Sequence, residues 1–168
     1  MKVVQTSVLV LVLALALPAA AQAPDVTKLY QVTTDGSTTK LGAGEKGKLV
    51  LSIKLSESAH VSDEAPLKIA LTGTNGAVPE KTSLLYADQV SKKPEGQKYA
   101  NPVVFEVPFT VGLPQGDKPA RAGEKAPPIS ATVDAKMTFF VCTDQICSRQ
   151  QKQVSLPVQV CRGSAASC

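Results

Sequence analysis

Alternation of apolar and polar residues with a period of two constrains this chain more than any other feature. Between Lys48 and Leu55, leucine and isoleucine alternate with lysine and serine over most of the segment. Successive side chains of a strand point to opposite faces, so this pattern predicts a strand with one buried face. Comparable alternation covers residues 67–71, 103–111, 131–141 and 154–160, and more weakly residues 29–33 and 83–86.

Seven strands of this kind predict an all-β protein, an immunoglobulin-like antiparallel β-sandwich. One-sided strands are typical of antiparallel sheets, and two such sheets bury their apolar faces against each other. Twelve prolines and 11 glycines argue against long helices. Pro108 and Pro157 lie within predicted strands and lack a backbone donor, so we expect edge strands or bulges there. Asn75-Gly76 predicts a hairpin turn.

The first 21 residues have the pattern of an export signal. Lys2 precedes an unbroken apolar run over residues 8–17, Pro18 ends that run, and three alanines follow. Small residues at these positions are what signal peptidase recognises, and we expect cleavage before Gln22. The predicted organisation is a signal peptide at 1–21, one domain at 22–161 and a short polar tail at 162–168. The run is too short to span a bilayer, so the mature protein is expected in the periplasm or secreted.

Composition argues against several classes of function. The net charge of +4 is spread along the chain, which does not favour a nucleic-acid partner. His60 is the only histidine, so a histidine-rich metal cage is excluded, and a surface or turn position is the simplest interpretation for it. The sequence therefore predicts no metal or other cofactor and no membrane span in the mature chain.

Four cysteines are the most informative residues for function. Cys142, Cys147, Cys161 and Cys168 all lie in the last 27 residues. An even number of cysteines in an exported chain favours disulfides, and three pairings are possible. The local pairing, Cys142 with Cys147 and Cys161 with Cys168, needs the least rearrangement of the chain. The first bridge would then close the mouth of a hairpin whose loop spans residues 143–151.

A Cys142–Cys147 bridge can be interpreted as a structural staple or as a redox centre. A bridge around so short a loop should contribute at the low end of roughly 0–5 kcal/mol, which weakens the case for a staple. Short exposed bridges are also the ones that exchange most readily. Arg149 and Lys152 would favour a thiolate, whereas Asp144 would oppose one. The spacing alone leaves both interpretations open.

One segment resembles a known family. The segment consists of Val141-Cys142-Thr143-Asp144-Gln145-Ile146-Cys147, with the apolar run from Met137 before it and Val154-Ser155-Leu156-Pro157-Val158-Gln159-Val160 after it. It is similar to the closing hairpin of the disulfide bond corrector domain, which is the N-terminal domain of the thiol:disulfide interchange protein DsbD. Ala59-His60-Val61-Ser62 and Lys98-Tyr99 also resemble pieces of that domain. The resemblance spans about residues 29–160 and implies an immunoglobulin-like fold with Cys142 and Cys147 as the exchanging pair. Tyr86 is the candidate for the aromatic cap that this family places over its disulfide.

The resemblance implies thiol–disulfide exchange without a cofactor. A donor thiolate would attack the bridge and form a mixed disulfide, and the second cysteine would resolve it. The resulting dithiol would then reduce an oxidised partner, and Cys142 is expected to be held in the firmer geometry. A thioredoxin-like or membrane redox protein would be the partner. The alternative is a secreted, non-catalytic immunoglobulin-like binding or structural module in which both bridges are structural.

Overall fold

Two β-sheets pack face to face in the computed structural model, which describes residues 25–119 and 126–163. The strands of this part of the chain are β1 (Tyr30–Thr33), β2 (Lys40–Gly42), β3 (Lys46–Leu55), β4 (His60–Val61), β5 (Lys68–Thr74), β6 (Ala77–Pro79), β7 (Ser83–Leu85), β8 (Val103–Val111), β9 (Ile129–Cys142) and β10 (Cys147–Cys161). Two short 3-10 helices cover Val26–Lys28 and Tyr86–Asp88. The all-β sandwich expected from the sequence is confirmed.

The first sheet has the order β1-β3-β8-β6, and the second has the order β2-β10-β9-β5-β7 with β4 added beside β9. All seven strands expected from the alternation are present. The three further strands, β2, β4 and β6, contain two or three residues each. Segments this short carry little periodic signal, and β7, which also has three residues, was predicted only weakly. The described residues therefore contain ten strands where the sequence predicted seven.

One strand pair departs from the expected antiparallel arrangement. β2 runs parallel to β10, with Leu41 opposite Val160, whereas the remaining pairs among the described residues are antiparallel. β2 and β10 are far apart in sequence, so no tight turn forces them to run in opposite directions.

The core lies between the two sheets and is built from the alternating residues. Val103, Phe105, Val107, Phe109 and Val111 of β8 are all buried, and the intervening residues are at least partly exposed. In β9 the alternating residues from Ala131 to Val141 are buried in the same way. Burial of a large apolar side chain stabilises the fold by about 1.5–3 kcal/mol, so these two strands contribute much of the core.

The two prolines within strands do not mark edge strands, because β8 and β10 both have neighbours on either side. In each case, however, the neighbouring strand does not extend to the position that the proline nitrogen faces. Pro108 O accepts from Glu80 N–H just beyond β6, and Gln159 N–H donates to Thr39 O at the start of β2. Alternate residues of a strand direct their backbone groups to the same side, so the Pro157 nitrogen faces the same side of β10 as Gln159 N–H. It lies beyond residues 159–161, the part of β10 with which β2 pairs. The missing donor therefore breaks no ladder hydrogen bond.

The Asn75-Gly76 turn connects the two sheets. Both residues have positive φ angles, 52° and 91°, as a tight two-residue turn requires. The strands on either side do not form the expected hairpin: β5 pairs with β7 and β9, whereas β6 pairs with β8 in the other sheet. The turn was thus predicted correctly and its partners were not.

β9 and β10 form the long hairpin that carries the two cysteines. Their pairing is continuous from Val160 opposite Ile129 to Cys147 opposite Cys142. The connecting loop is therefore only Thr143–Ile146, and the expectation of a loop reaching residue 151 is wrong. Residues 148–153 continue the strand because they pair with β9, although all six of them are polar.

The predicted signal peptide, residues 1–21, lies outside the described residues. Among those that are described, no helix is long and apolar enough to cross a membrane. Arg162, the first residue of the predicted tail, donates from Nη2 to Asp117 Oδ1 at 2.9 Å.

Candidate functional site

Cys142 and Cys147 form a disulfide at the closed end of the β9–β10 hairpin. Cys142 is the last residue of β9, and Cys147 is the first residue of β10. Their Cα atoms are 4.0 Å apart, closer than the roughly 4.4–6.8 Å that is usual for disulfides. The neighbouring pair carries the hydrogen bond, from Thr143 N–H to Ile146 O, so the cysteines occupy a non-hydrogen-bonded pair, where antiparallel strands approach most closely.

The two cysteines differ in exposure. Cys142 is 2% exposed, whereas Cys147 is an exposed residue. Of the two cysteines, Cys147 is therefore the one that solvent can reach. Both cysteines lie in strands. They are therefore distinguished by their solvent exposure and not by the firmer geometry that was expected for Cys142.

Thr143 organises the loop between the cysteines. Its backbone N–H donates to Ile146 O at 2.8 Å, and its hydroxyl oxygen accepts from the N–H groups of Gln145 and Ile146, each at 3.3 Å. These hydrogen bonds all lie within Thr143–Ile146, the four residues that the disulfide encloses. The turn thus has a hydrogen-bonded geometry that does not depend on the S–S bond.

The start of β10 is also anchored by polar contacts. Gln150 is buried, and its side-chain Oε1 accepts from the Tyr30 hydroxyl at 3.1 Å. Its Nε2 donates to Ser148 Oγ at 3.0 Å. Tyr30 in turn packs edge-to-face against Phe139, with 5.2 Å between the ring centroids. Residues of both sheets therefore hold the segment that follows Cys147.

His60 lies beside the disulfide. The short strand β4 places His60 opposite Cys142 and Val61 opposite Val141. Since β10 occupies the other side of β9, Cys142 stands between His60 and Cys147. Residues opposite one another in antiparallel strands share a face of the sheet, so the imidazole and the two sulfur-bearing side chains form a row. The interpretation of His60 as an ordinary surface or turn residue is incomplete, because it is a partly buried strand residue.

Tyr99 covers the imidazole of His60. The two rings are stacked with centroids 3.7 Å apart and planes 6° from parallel. Lys98 Nζ lies 5.0 Å from the centroid of the Tyr99 ring. The segment before β8 thus supplies the aromatic ring that stacks on His60. Tyr86, the candidate from the sequence, instead begins a 3-10 helix and packs against the core.

An open depression of about 550 Å³ adjoins this row. Its lining includes His60, Lys98, Tyr99 and Asp144, together with Glu57 from the loop before β4. Charges of both signs therefore surround the imidazole.

The electrostatic surroundings keep His60 neutral. Burial lowers the pKa of His60 below its ordinary value of 6.5, and the Lys98 ammonium lowers it further. The carboxylates of Asp63 and Asp144 act in the opposite direction but do not reverse the shift. At neutral pH the imidazole is therefore a proton acceptor.

The remaining residues singled out in the sequence lie elsewhere. Arg149, on β10, follows Cys147 by two residues and is exposed on the same face, whereas Lys152 Nζ lies 5.8 Å from the Tyr30 ring. Cys161 ends β10 with 2% exposure, roughly 45 Å along the strand from Cys147. Its expected partner, Cys168, lies outside the described residues, so that pairing stays a prediction.

Sequence reasoning missed the association of His60 with Cys142 and of Tyr99 with His60. The only signal in the sequence was the resemblance of Ala59-His60-Val61-Ser62 and Lys98-Tyr99 to segments of the same domain, which gave no contact between them. Within residues 25–119 and 126–163, no group of three or more His, Cys, Asp or Glu side chains could hold a metal ion. No protein-family model matches the chain, and no curated protein matches it either.

Proposed function

We propose that this protein is an exported thiol–disulfide exchange domain that passes reducing equivalents between redox partners through Cys142 and Cys147. The alternative is a secreted immunoglobulin-like module in which the bridge only strengthens the fold.

The observation that carries the proposal is the redundancy of the disulfide as a staple. It joins two strands that are already paired along their full length, around a loop already closed by the hydrogen bonds of Thr143. A disulfide stabilises mainly by restricting the unfolded chain, and this restriction is small when only four residues are enclosed. A bond at this position can therefore open and close without dismantling the hairpin, as exchange requires.

The difference in exposure supports a different role for each cysteine. The thiolate of a reduced donor attacks the exposed Cys147 sulfur, the S–S bond breaks, and its electron pair leaves with Cys142. The donor's second thiol then attacks the mixed disulfide and releases Cys147, so two electrons have entered the domain. In the second half-reaction the Cys147 thiolate attacks an oxidised partner, and Cys142 resolves that mixed disulfide.

The resemblance to the N-terminal domain of DsbD supports the same function. It rests on the hairpin residues from Val141 to Cys147 and on the Val154–Val160 segment. By this resemblance the electron donor is a thioredoxin-like or membrane redox protein. The mixed charges of the depression beside the disulfide, Lys98 against Glu57 and Asp144, are suited to a polar partner surface.

A redox titration tests this proposal. The mature protein is equilibrated in a graded series of glutathione buffers, alkylated, and analysed by mass spectrometry for the Cys142–Cys147 bridge. An exchanging pair should titrate between about −180 and −270 mV. A Cys142→Ser/Cys147→Ser variant provides the matched control for signals from Cys161 and Cys168.

A structural bridge gives a different result. If the pair stays oxidised well below about −300 mV, it is resistant to the glutathione pool and the exchange function is wrong. The module with structural disulfides would then be the better description.

A further inference from the structure

We propose that His60 is the proton acceptor that ionises the Cys142 thiol when Cys142 resolves a mixed disulfide held on Cys147. The inference rests on the proposed exchange function and adds a third residue to its site.

The first support is the position of His60 in the sheet. It is the cross-strand neighbour of Cys142 on the side away from Cys147. Side chains at opposed positions of antiparallel strands have Cβ atoms about 4.5–5.5 Å apart on the same face. An imidazole ring at that separation can reach a thiol on the neighbouring strand. The row therefore has a base, a resolving sulfur and an attacking sulfur in order.

The second support is the burial of Cys142. Only the thiolate attacks a disulfide, and burial in apolar surroundings disfavours the thiolate. Because Cys142 is 2% exposed, solvent has little access to remove its proton. A neighbouring side chain must then accept the proton. His60 is the chain's only histidine and the direct cross-strand neighbour of Cys142.

The third support is the setting of the imidazole. Stacking on Tyr99 restricts the orientation of the ring, and burial together with Lys98 favours its neutral form. The titratable and charged groups around it come from four segments: Glu57 before β4, Asp63 and Glu64 after it, Lys98 and Tyr99 before β8, and Asp144 between β9 and β10. Lys98 disfavours the imidazolium, and Asp63 and Asp144 offset part of this effect.

The resolving step moves one proton, forms one S–S bond and breaks another. His60 takes the proton of the Cys142 thiol, and the Cys142 thiolate attacks the Cys147 sulfur of the mixed disulfide. The bond between Cys147 and the partner sulfur breaks, and the partner leaves as a thiolate that takes a proton from solvent. The imidazolium returns its proton to solvent, the partner has been reduced, and the Cys142–Cys147 disulfide has formed.

A single-turnover experiment with oxidised glutathione as the probe tests this step. Reduced full-length protein is mixed with the probe between about pH 5 and pH 9, a range that spans ordinary imidazole and thiol pKa values. Samples are quenched with acid, and mass spectrometry follows the glutathione adduct on Cys147 as it converts to the intramolecular bridge. His60→Phe keeps a ring to stack on Tyr99, and His60→Gln keeps polarity without comparable basicity.

The wild-type conversion rate should rise through an inflection below pH 6.5 and then level off. Both variants should lose that inflection and follow thiol ionisation alone. At pH 7 they should be slower by about tenfold or more, because an ordinary thiol is only about 3% ionised there. Thr138→Val, on the same face of β9 but away from the cysteines, is the matched control and should retain the wild-type profile.

The other outcomes would overturn either the role of His60 or the exchange function itself. A His60→Phe variant with the wild-type rate and profile overturns the role of His60 while leaving the exchange function in place. A slower conversion that keeps the wild-type inflection also overturns the role of His60. It would show that the substitution disturbs packing and that another group causes the inflection. If the wild-type protein forms neither the adduct nor the bridge at any pH, the exchange function itself fails.

Discussion

His60 and Cys142 face each other across the β4–β9 pair, with Cys147 on the far side of Cys142. A buried sulfur is therefore placed between an exposed sulfur and a partly buried imidazole. If the proposed exchange function holds, this arrangement would let Cys147 contact the partner, Cys142 resolve the mixed disulfide and His60 accept the proton.

Removing the disulfide should have a small effect on stability. For Cys142→Ser/Cys147→Ser we expect the free energy of unfolding to fall by about 2 kcal/mol or less, because the bridge encloses only four residues. Chemical denaturation measures this change. Phe105→Ala, which empties a fully buried core position, is the comparison and should cost about 3–5 kcal/mol. A loss from the double serine variant as large as that of Phe105→Ala would identify the bridge as a structural staple.

The two thiols of the reduced protein should differ in accessibility. Iodoacetamide should modify Cys147 at least about tenfold faster than Cys142, since alkylation requires an accessible thiolate. Timed labelling followed by peptide mass spectrometry measures both rates in one sample. The single variants give the matched pair: Cys142→Ser should form a stable adduct with glutathione, and Cys147→Ser should form little. Equal labelling would contradict the assignment of Cys147 as the residue that contacts the partner.

Stability should depend on pH through His60. Its folded-state pKa lies below the ordinary value of 6.5, so the unfolded chain binds a proton more readily than the folded one. The contribution of neutral His60 to the free energy of unfolding is fully present above pH 6.5. This contribution decreases as the pH falls from 6.5 towards the folded-state pKa. Thermal unfolding against pH for wild type and His60→Phe should differ in slope within that window alone. Because the chain has one histidine, NMR titration of its ring protons gives the folded pKa directly, and a value at or above 6.5 would contradict the shift.

Thr143 should keep the hairpin closed after reduction. Thr143→Val removes the hydroxyl acceptor of Gln145 N–H and Ile146 N–H and keeps the shape of the side chain. We expect a loss of about 0.5–1.5 kcal/mol in the reduced protein, whereas Thr143→Ser should behave as wild type. Hydrogen exchange at the Thr143 and Ile146 amides of the reduced protein measures the local opening. Unchanged protection in the valine variant would show that the ladder alone holds the loop.

Local pattern predicted most of the strands because the hydrophobic effect acts on each strand separately. Any strand with an apolar face must bury it, so the alternation in residues 103–111 and 131–141 fixes which side chains enter the core. The polar start of β10 was missed for the converse reason. Residues 148–153 form a strand through backbone pairing to β9, and backbone pairing leaves no mark in the side-chain pattern.

The candidate site divides in the same way. The local sequence indicated the Cys142–Cys147 pair because only four residues separate the two cysteines, and a short chain segment samples few conformations. Which cysteine is exposed, and which residue lies next to the buried one, depends on strands that meet from distant parts of the chain. β4 has only two residues, and its pairing with β9 is a property of the assembled sheet. The sequence by itself thus determined the seven strands that carry an alternating pattern and their buried faces, and it favoured the local pairing of Cys142 with Cys147. The tertiary structure alone decided that His60 lies opposite Cys142 and that Tyr99 stacks on His60.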